Sequence, residues 1–261
     1  MCGVIVMAER VTIERLSSLL ESFGLKHAPR QLADIMESCE AEEAGYREFL
    51  KCVLDAEVIG RNERKRKRNY AAAHFPPSVR DIAEFDCAEL EGGISPGQII
   101  QLKELTWLDS CGNVIFAGPP GLGKTMLALG LGLHAIDEGY MVAFEKMENF
   151  VRILDGAESE RNAGFRLRYI KRASLTIIDE IGYTPITREQ ANRFFNFISD
   201  TYERASLIFT TNKQIPEWAE MMGDPVLTTA MMDRILHHAR CYSLRGESYR
   251  LKHPELFEYS D

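Results

Sequence analysis

Apolar positions in the first 73 residues recur every three or four residues, the period of a helix that buries one face. Ile13, Leu16, Leu20 and Phe23 form one stripe, and Gly24 closes it. Pro29 suits the first turn of a second helix, whose stripe is Leu32, Ile35, Met36 and Cys39. A third helix carries Tyr46, Phe49, Leu50, Val53 and Leu54. These stripes can pack together, so residues 1–73 are expected to form a small all-helical N-terminal domain. His74-Phe75-Pro76-Pro77 ends the third helix, because neither proline can donate to it and the first holds its neighbour extended. The stretch 74–97, ending Gly92-Gly93-Ile94-Ser95-Pro96-Gly97, reads as a linker in which Phe85-Asp86 anchors on the C-terminal domain. From residue 98 the pattern alternates between strand and helix to the end of the chain at 261. Strands are expected at 114–118, 141–145, 175–180, 206–212 and 240–245, with a helix over 188–202 whose stripe is Ala191, Phe194, Phe195, Ile198 and Tyr202. This alternation predicts an α/β fold, a five-stranded parallel sheet flanked by helices through right-handed crossovers.

The chemistry begins where the first of these strands ends. Gly118-Pro119-Pro120-Gly121-Leu122-Gly123-Lys124-Thr125 follows Val114-Ile115-Phe116-Ala117 and opens a helical run from Met126. Strand, glycine-rich loop and helix at this spacing make a phosphate-binding P-loop. Glycines let backbone N–H groups turn inward, and the positive end of the following helix adds to the cradle. The loop from Gly118 to Met126 is therefore expected to hold ATP, with Lys124 reaching the β- and γ-phosphates and the Thr125 hydroxyl on Mg²⁺. Leu175-Thr176-Ile177-Ile178-Asp179-Glu180 is a buried strand ending in two acids. In a P-loop enzyme the first holds the magnesium and the second polarises the attacking water. Asn212, at the end of the strand 206–212, is expected to project beside them, since ligand sites in such sheets lie beyond the C-terminal strand edges. A simple turn-forming role for Asn212 is the alternative.

Composition narrows the partners. The 261 residues are 45% hydrophobic and 27% charged, ordinary for a chain with a sizeable core. A formal net charge of −8 means that any nucleic-acid contact must come from a local basic patch. One such patch is Arg61, Arg64, Lys65, Arg66, Lys67 and Arg68, which Glu63 cannot neutralise. Two accounts fit it: a solvated helix end whose cations favour the negative pole of the macrodipole, or a surface for phosphate backbones. A second basic stretch, 152–172, holds Arg161, Arg166, Arg168, Lys171 and Arg172 but also Asp155, Glu158 and Glu160, so an ordinary charged helix competes there. Six scattered cysteines without a CxxC pair indicate reduced thiols, and no run approaches the ~20 apolar residues of a membrane span. A soluble, cytoplasmic protein is expected. His237-His238, taken as neighbours on a helix and so ~100° apart, read as interface or packing residues and not as a metal site.

At this point a family resemblance becomes specific. Gly118–Thr125 resembles Walker A, Ile177–Glu180 Walker B and Thr210–Asn212 sensor 1 of AAA+ ATPases. Asp224-Pro225, Asp233-Arg234-Ile235-Leu236-His237-His238-Ala239 and Arg245-Gly246-Glu247-Ser248-Tyr249-Arg250-Leu251 are similar to the IstB-like branch. Its members are ATP-binding helpers of insertion-sequence transposition, related to the DnaC helicase loader. The likeness runs from about residue 12 and takes in Phe85-Asp86 and Ile181-Gly182-Tyr183. It implies an AAA+ P-loop NTPase that binds duplex DNA, hands it to a cognate transposase and self-associates as a ring or helical multimer. It also implies Arg234 as an arginine finger offered to a neighbouring subunit, and Arg250 as the sensor 2 arginine of its own. A surface ion pair is the alternative for Arg234, and a strand-edge cation for Arg250. Glu180 stands where relatives often carry a second Asp, and Glu145–Phe150 lacks the aromatic-hydrophobic-glycine pore loop of protein unfoldases. Met1–Arg10 has no counterpart in the family. A helicase loader gripping a replicative helicase is the second reading; a small-molecule phosphotransferase and a non-hydrolysing nucleotide-gated scaffold are weaker ones.

Overall fold

The computed structural model describes residues 11–183, 185–214, 217–218 and 224–253. Two compact units divide between Lys67 and Arg68. The division falls inside the third helix and not at its end.

The first unit holds α1 (Ile13–Ser22), α2 (Ala28–Ala41) and most of α3 (Tyr46–Ala73). Its core is small: Ala28, Leu32, Val53 and Ala56 are buried, with Leu16, Leu20, Ile35, Met36 and Phe49 packed around them. The start of α2 has no side-chain cap of its own. Glu57 of α3 supplies one instead. Its Oε2 accepts from the backbone N–H groups of Lys26, His27 and Ala28 at 2.9, 2.7 and 3.0 Å. A carboxylate there satisfies otherwise unpaired donors and faces the positive end of the helix dipole. Arg61 Nε donates to the other oxygen at 2.7 Å. Burial alone would raise the Glu57 pKa, but the three amides and Arg61 outweigh it and hold the carboxyl at about 2.

In the second unit, β1 (Asn113–Ala117), β2 (Val142–Lys146), β3 (Leu175–Ile181), β4 (Ser206–Thr211) and β5 (Ala239–Ser243) form a parallel sheet in the order β2-β3-β4-β1-β5. Each lies within two residues of its expected bounds. Side chains alternate between faces, so both sides are apolar and both are covered. On one face Val114, Phe116, Ile177 and Ile208 pack with Leu127 and Leu131 of α6 (Lys124–Asp137). On the other, Ile115, Ile178 and Phe209 meet α7 (Met147–Gly156), α9 (Arg188–Thr201) and α10 (Pro225–Leu236) through Phe150, Phe194, Phe197 and Met231. Helix α8 (Arg161–Arg172) follows α7.

The stretch expected as a linker belongs to this second core. Ile82 and Ile94 are buried beside α6 and α4 (Pro96–Lys103), and the short α5 (Thr106–Asp109) leads on toward β1. Gly130 lets Ile82 press on α6, since a Cβ there would stand 2.9 Å from it. Phe85 packs on the P-loop at Gly123, and Asp86 accepts from the Ala88 N–H to cap a short turn. Among the described residues no helix is long and apolar enough to cross a membrane.

Candidate nucleotide-binding site

The P-loop joins β1 to α6 at the C-terminal edge of the sheet. Gly123 opens α6 in the left-handed region at φ 77°. Gly121 is left-handed too, at φ 84°, and a Cβ there would stand 2.0 Å from Ser248 Oγ. That contact reveals the roof of the loop. Tyr249, first residue of α11 (Tyr249–Lys252), donates its N–H to Gly121 O at 3.0 Å. Arg250 follows, and its positive charge is felt by Lys124. Lys124 Nζ bends back to donate to Gly118 O and Pro119 O, each at 2.7 Å. Burial lowers its pKa, Asp179 counters that, and Arg250 adds to it. An ammonium held by carbonyls in a partly desolvated loop gains when an anion is offered in their place.

Asp179 lies 1% exposed at the end of β3. Its Oδ1 accepts from Thr125 Oγ1 at 2.8 Å and from Thr210 Oγ1 of β4. Burial raises its pKa, against the two hydroxyls. Next to it the ladder slips: Ile178 pairs with Phe209, but Ile181 pairs with Thr211, so β3 carries one extra residue. Glu180 occupies this bulge at φ 63°. A left-handed non-glycine costs roughly 1–2 kcal/mol, and a bulge of this kind re-aims a side chain. The Glu180 N–H donates to Thr210 Oγ1 at 3.0 Å. Its carboxylate pairs with Lys146 Nζ, at the end of the neighbouring β2, at 2.9 Å. Thr210, not Asn212, is thus the β4 residue that touches the acid pair. Asn212 follows Thr211, whose carbonyl receives the Gly118 N–H, and its own side-chain oxygen is buried without a hydrogen-bond partner.

Arg234 sits elsewhere. Asn113 Nδ2 at the start of β1 donates to Ile235 O, which places Arg234 at the N-terminal edge of the sheet. Gly118 is five strand positions away, about 16 Å at ~3.3 Å per residue, farther than an arginine side chain extends. Here the Arg234 guanidinium lies 5.0 Å over the Phe195 ring and donates to Ala230 O at 2.9 Å.

The basic residues divide in a way that the sequence does not announce. Four of the five N–H donors of Arg166 are engaged within the protein. Its Nε donates to Glu145 Oε1 at 2.6 Å, Nη1 to Ala72 O at 2.6 Å, and Nη2 to Ala73 O and Phe144 O at 3.1 and 3.0 Å. It closes the last carbonyls of α3 and pairs with buried Glu145, so this residue, expected to face DNA, spends most of its donors inside the fold. Arg61 is tied to Glu57, and Lys171 to Asp200 at 2.8 Å. Arg64, Lys65, Arg66, Lys67, Arg68, Arg168 and Arg172 are exposed. Arg168 and Arg161 flank exposed Phe165, with guanidinium carbons 4.5 and 5.4 Å from the ring centre.

A family model described as IstB-like ATP binding protein matches residues 18–256. The chain belongs to that family. The Insertion sequence IS21 putative ATP-binding protein of Pseudomonas aeruginosa is 38% identical over 240 residues, 92% of this chain and 90% of the relative. The Insertion sequence IS5376 putative ATP-binding protein of Geobacillus stearothermophilus is 34% identical over 245 residues, 94% and 97% of the two chains. Among solved structures, DnaI superposes with a TM-score of 0.55 at 16% identity, over 66% of this chain and 95% of its own. The replication initiator DnaA bound to AMPPCP and single-stranded DNA gives 0.54 at 16% identity, over 72% and 58%. Those two likenesses show the AAA+ P-loop fold.

The family is an ATP-binding one, and in this chain the loop, the acid pair and the α11 roof lie together at one edge of the sheet. Thr125 Oγ1 and the Asp179 carboxylate, already in contact, are hard oxygen donors of the kind Mg²⁺ takes, and Asp179 is buried with no cation of the described residues at hydrogen-bond distance. Thr210, Lys146, Ser248 and Tyr249 touch the loop or the acid pair, and motif reading passed over them. Only strand order brings β2 and β4 to the two sides of β3, and no spacing along the chain encodes that order.

Proposed function

We propose that this protein is an ATP-dependent DNA-binding helper of transposition. It assembles on duplex DNA, delivers a target to a cognate transposase, and lets go when ATP is hydrolysed. The observation that carries the reading is the division of the catalytic set between two edges of one sheet. Lys124, Thr125, Asp179, Glu180 and Arg250 gather at the C-terminal edge, while Arg234 lies at the N-terminal edge, out of reach of its own P-loop. A site that needs this arginine is completed by a neighbour, so hydrolysis depends on assembly.

In this scheme the loop amides and Lys124 hold the β- and γ-phosphates. Thr125 and Asp179 hold Mg²⁺, which when bound neutralises charge developing on the phosphate oxygens. Glu180, once parted from Lys146, takes the proton of the attacking water. Asn212 offers its buried oxygen to that water, and Arg250 steadies the nucleotide from the roof. Exposed cations of the run from Arg64 to Arg68 contact the DNA backbone, with Arg168 and Arg172 as further candidates. The names of the relatives support the link to insertion sequences. ATP hydrolysis and particle mass, measured with duplex DNA, single-stranded DNA and no DNA, test the proposal. Assembly and turnover that need duplex support it. Full turnover by a monomer without DNA overturns it, and a preference for single strands with a bound helicase favours a loader.

A further inference from the structure

Among the described residues, one group of three metal-ligating side chains lies outside the nucleotide site: Glu203, just after α9, with His237 and His238, between α10 and β5. One ligand atom from each stands within 4.8 Å of the others, and all three side chains are exposed. The objection that adjacent helical histidines point apart does not hold here. Helix α10 ends at Leu236, His237 is its C-cap, and His238 lies in the turn that leads into β5. The two ring centres lie 4.2 Å apart.

His238 Nε2 lies 3.5 Å from Glu203 Oε1. Two tetrahedral zinc ligands at ~2.0–2.1 Å from the ion stand about 3.4 Å apart, so this pair already has the spacing of a shared ion. Tyr202 Oη lies 2.5 Å from His237 Nδ1 and its ring stacks on the imidazole. With the Nδ1–H donating to that oxygen, an outer acceptor orients the histidine and leaves Nε2 unprotonated for the metal. Glu203 is held in the left-handed region at φ 55°, where the turn after α9 presents it. The nearby Arg234 guanidinium is engaged with Ala230 O and Phe195.

We propose that Glu203, His237 and His238 form a binding site for a borderline transition-metal ion, with Zn²⁺ as the representative species. Two imidazoles and a carboxylate leave a fourth position for water or for a group from another molecule. Occupancy ties the turn after α9 to the end of α10, the helix that carries Arg234. The site is independent of Mg²⁺, which does not select imidazole.

The test uses the full-length protein, stripped with a chelator and titrated with Zn²⁺ against a chromophoric competitor, and with Co²⁺ followed by absorption. One equivalent per chain is expected, unaffected by excess Mg²⁺, with Co²⁺ bands of nitrogen and oxygen ligation and no thiolate charge transfer. Glu203→Gln, His237→Gln and His238→Gln should each weaken binding at least about tenfold while ATP binding is unchanged; Tyr202→Phe should weaken it less. The proposal is overturned by any of three results: no Zn²⁺ taken from the competitor, affinity indifferent to His238→Gln, or a thiolate band that assigns the ion to cysteine.

Discussion

Replacing Glu57 with Gln should unpin the start of α2, and the size of the effect can be worked from its titration. The folded carboxyl is held at about 2 against an ordinary 4.5, by three backbone amides and Arg61. At 1.36 kcal/mol per pKa unit, the difference of about 2.5 units corresponds to roughly 3 kcal/mol of stability carried by the ionised form. Because the folded value is depressed, this contribution is complete above pH 4.5 and is lost as pH falls from there toward 2. Glu57→Gln keeps one acceptor and the shape but removes the charge, so most of that ~3 kcal/mol should disappear at neutral pH. The core around it is only a few side chains, so the first unit should open well before the second. Hydrogen exchange of the α2 amides is the assay. In the variant at pH 7 they should exchange on the order of 10²-fold faster, which is what ~3 kcal/mol implies, while β1 and β3 stay protected. In the wild type the same acceleration should appear on acidification below pH 4.5, after correction for intrinsic exchange. Unchanged α2 protection in Glu57→Gln would refute the capping argument.

Three further outcomes concern the second unit and the basic run. Glu180→Gln should bind ATP normally but hydrolyse it about 10²–10⁴-fold more slowly, the usual worth of a positioned base, and single-turnover kinetics would show it. Arg166→Met leaves Glu145 buried without its cation and the last carbonyls of α3 without donors, so urea unfolding should show a loss of about 3–5 kcal/mol. Retained stability with weakened DNA binding would return Arg166 to the DNA surface. Neutralising Arg64, Lys65 and Lys67 together should weaken DNA binding alike across sequences and lower the slope of log affinity on log salt by up to about 3. An unchanged slope would make the run a solvated helix face.

The parts legible in the sequence were those written in local spacing. Glycines at fixed offsets between an apolar run and a helix located the P-loop, and runs such as Leu175–Ile178 located strands within two residues. Features that depend on contacts distant along the chain were not legible. The prolines and glycines of 74–97 mark irregular backbone whether it is free or packed, and two isoleucines, Ile82 and Ile94, decide that it is packed. Glu57 caps a helix that begins 29 residues earlier. Arg166 carries the same charge as exposed Arg168 two positions on, and only the fold brings Glu145 and the end of α3 beside it. The approach of the His237 and His238 rings, with centres 4.2 Å apart, was not legible either, because periodicity does not say where a helix stops.

The central claim is that Arg234 completes a neighbour's active site, and mixing two defective proteins tests it most directly. Arg234→Ala keeps a whole P-loop and acid pair but offers no arginine. Glu180→Gln offers Arg234 and binds ATP but lacks the base. Each alone should hydrolyse ATP poorly in the presence of duplex DNA. Mixed in equal amounts they should recover a substantial part of the wild-type rate, because an Arg234→Ala subunit can receive the arginine of a Glu180→Gln neighbour. Full turnover by Arg234→Ala alone, or a mixture no faster than the sum of its parts, would contradict the account.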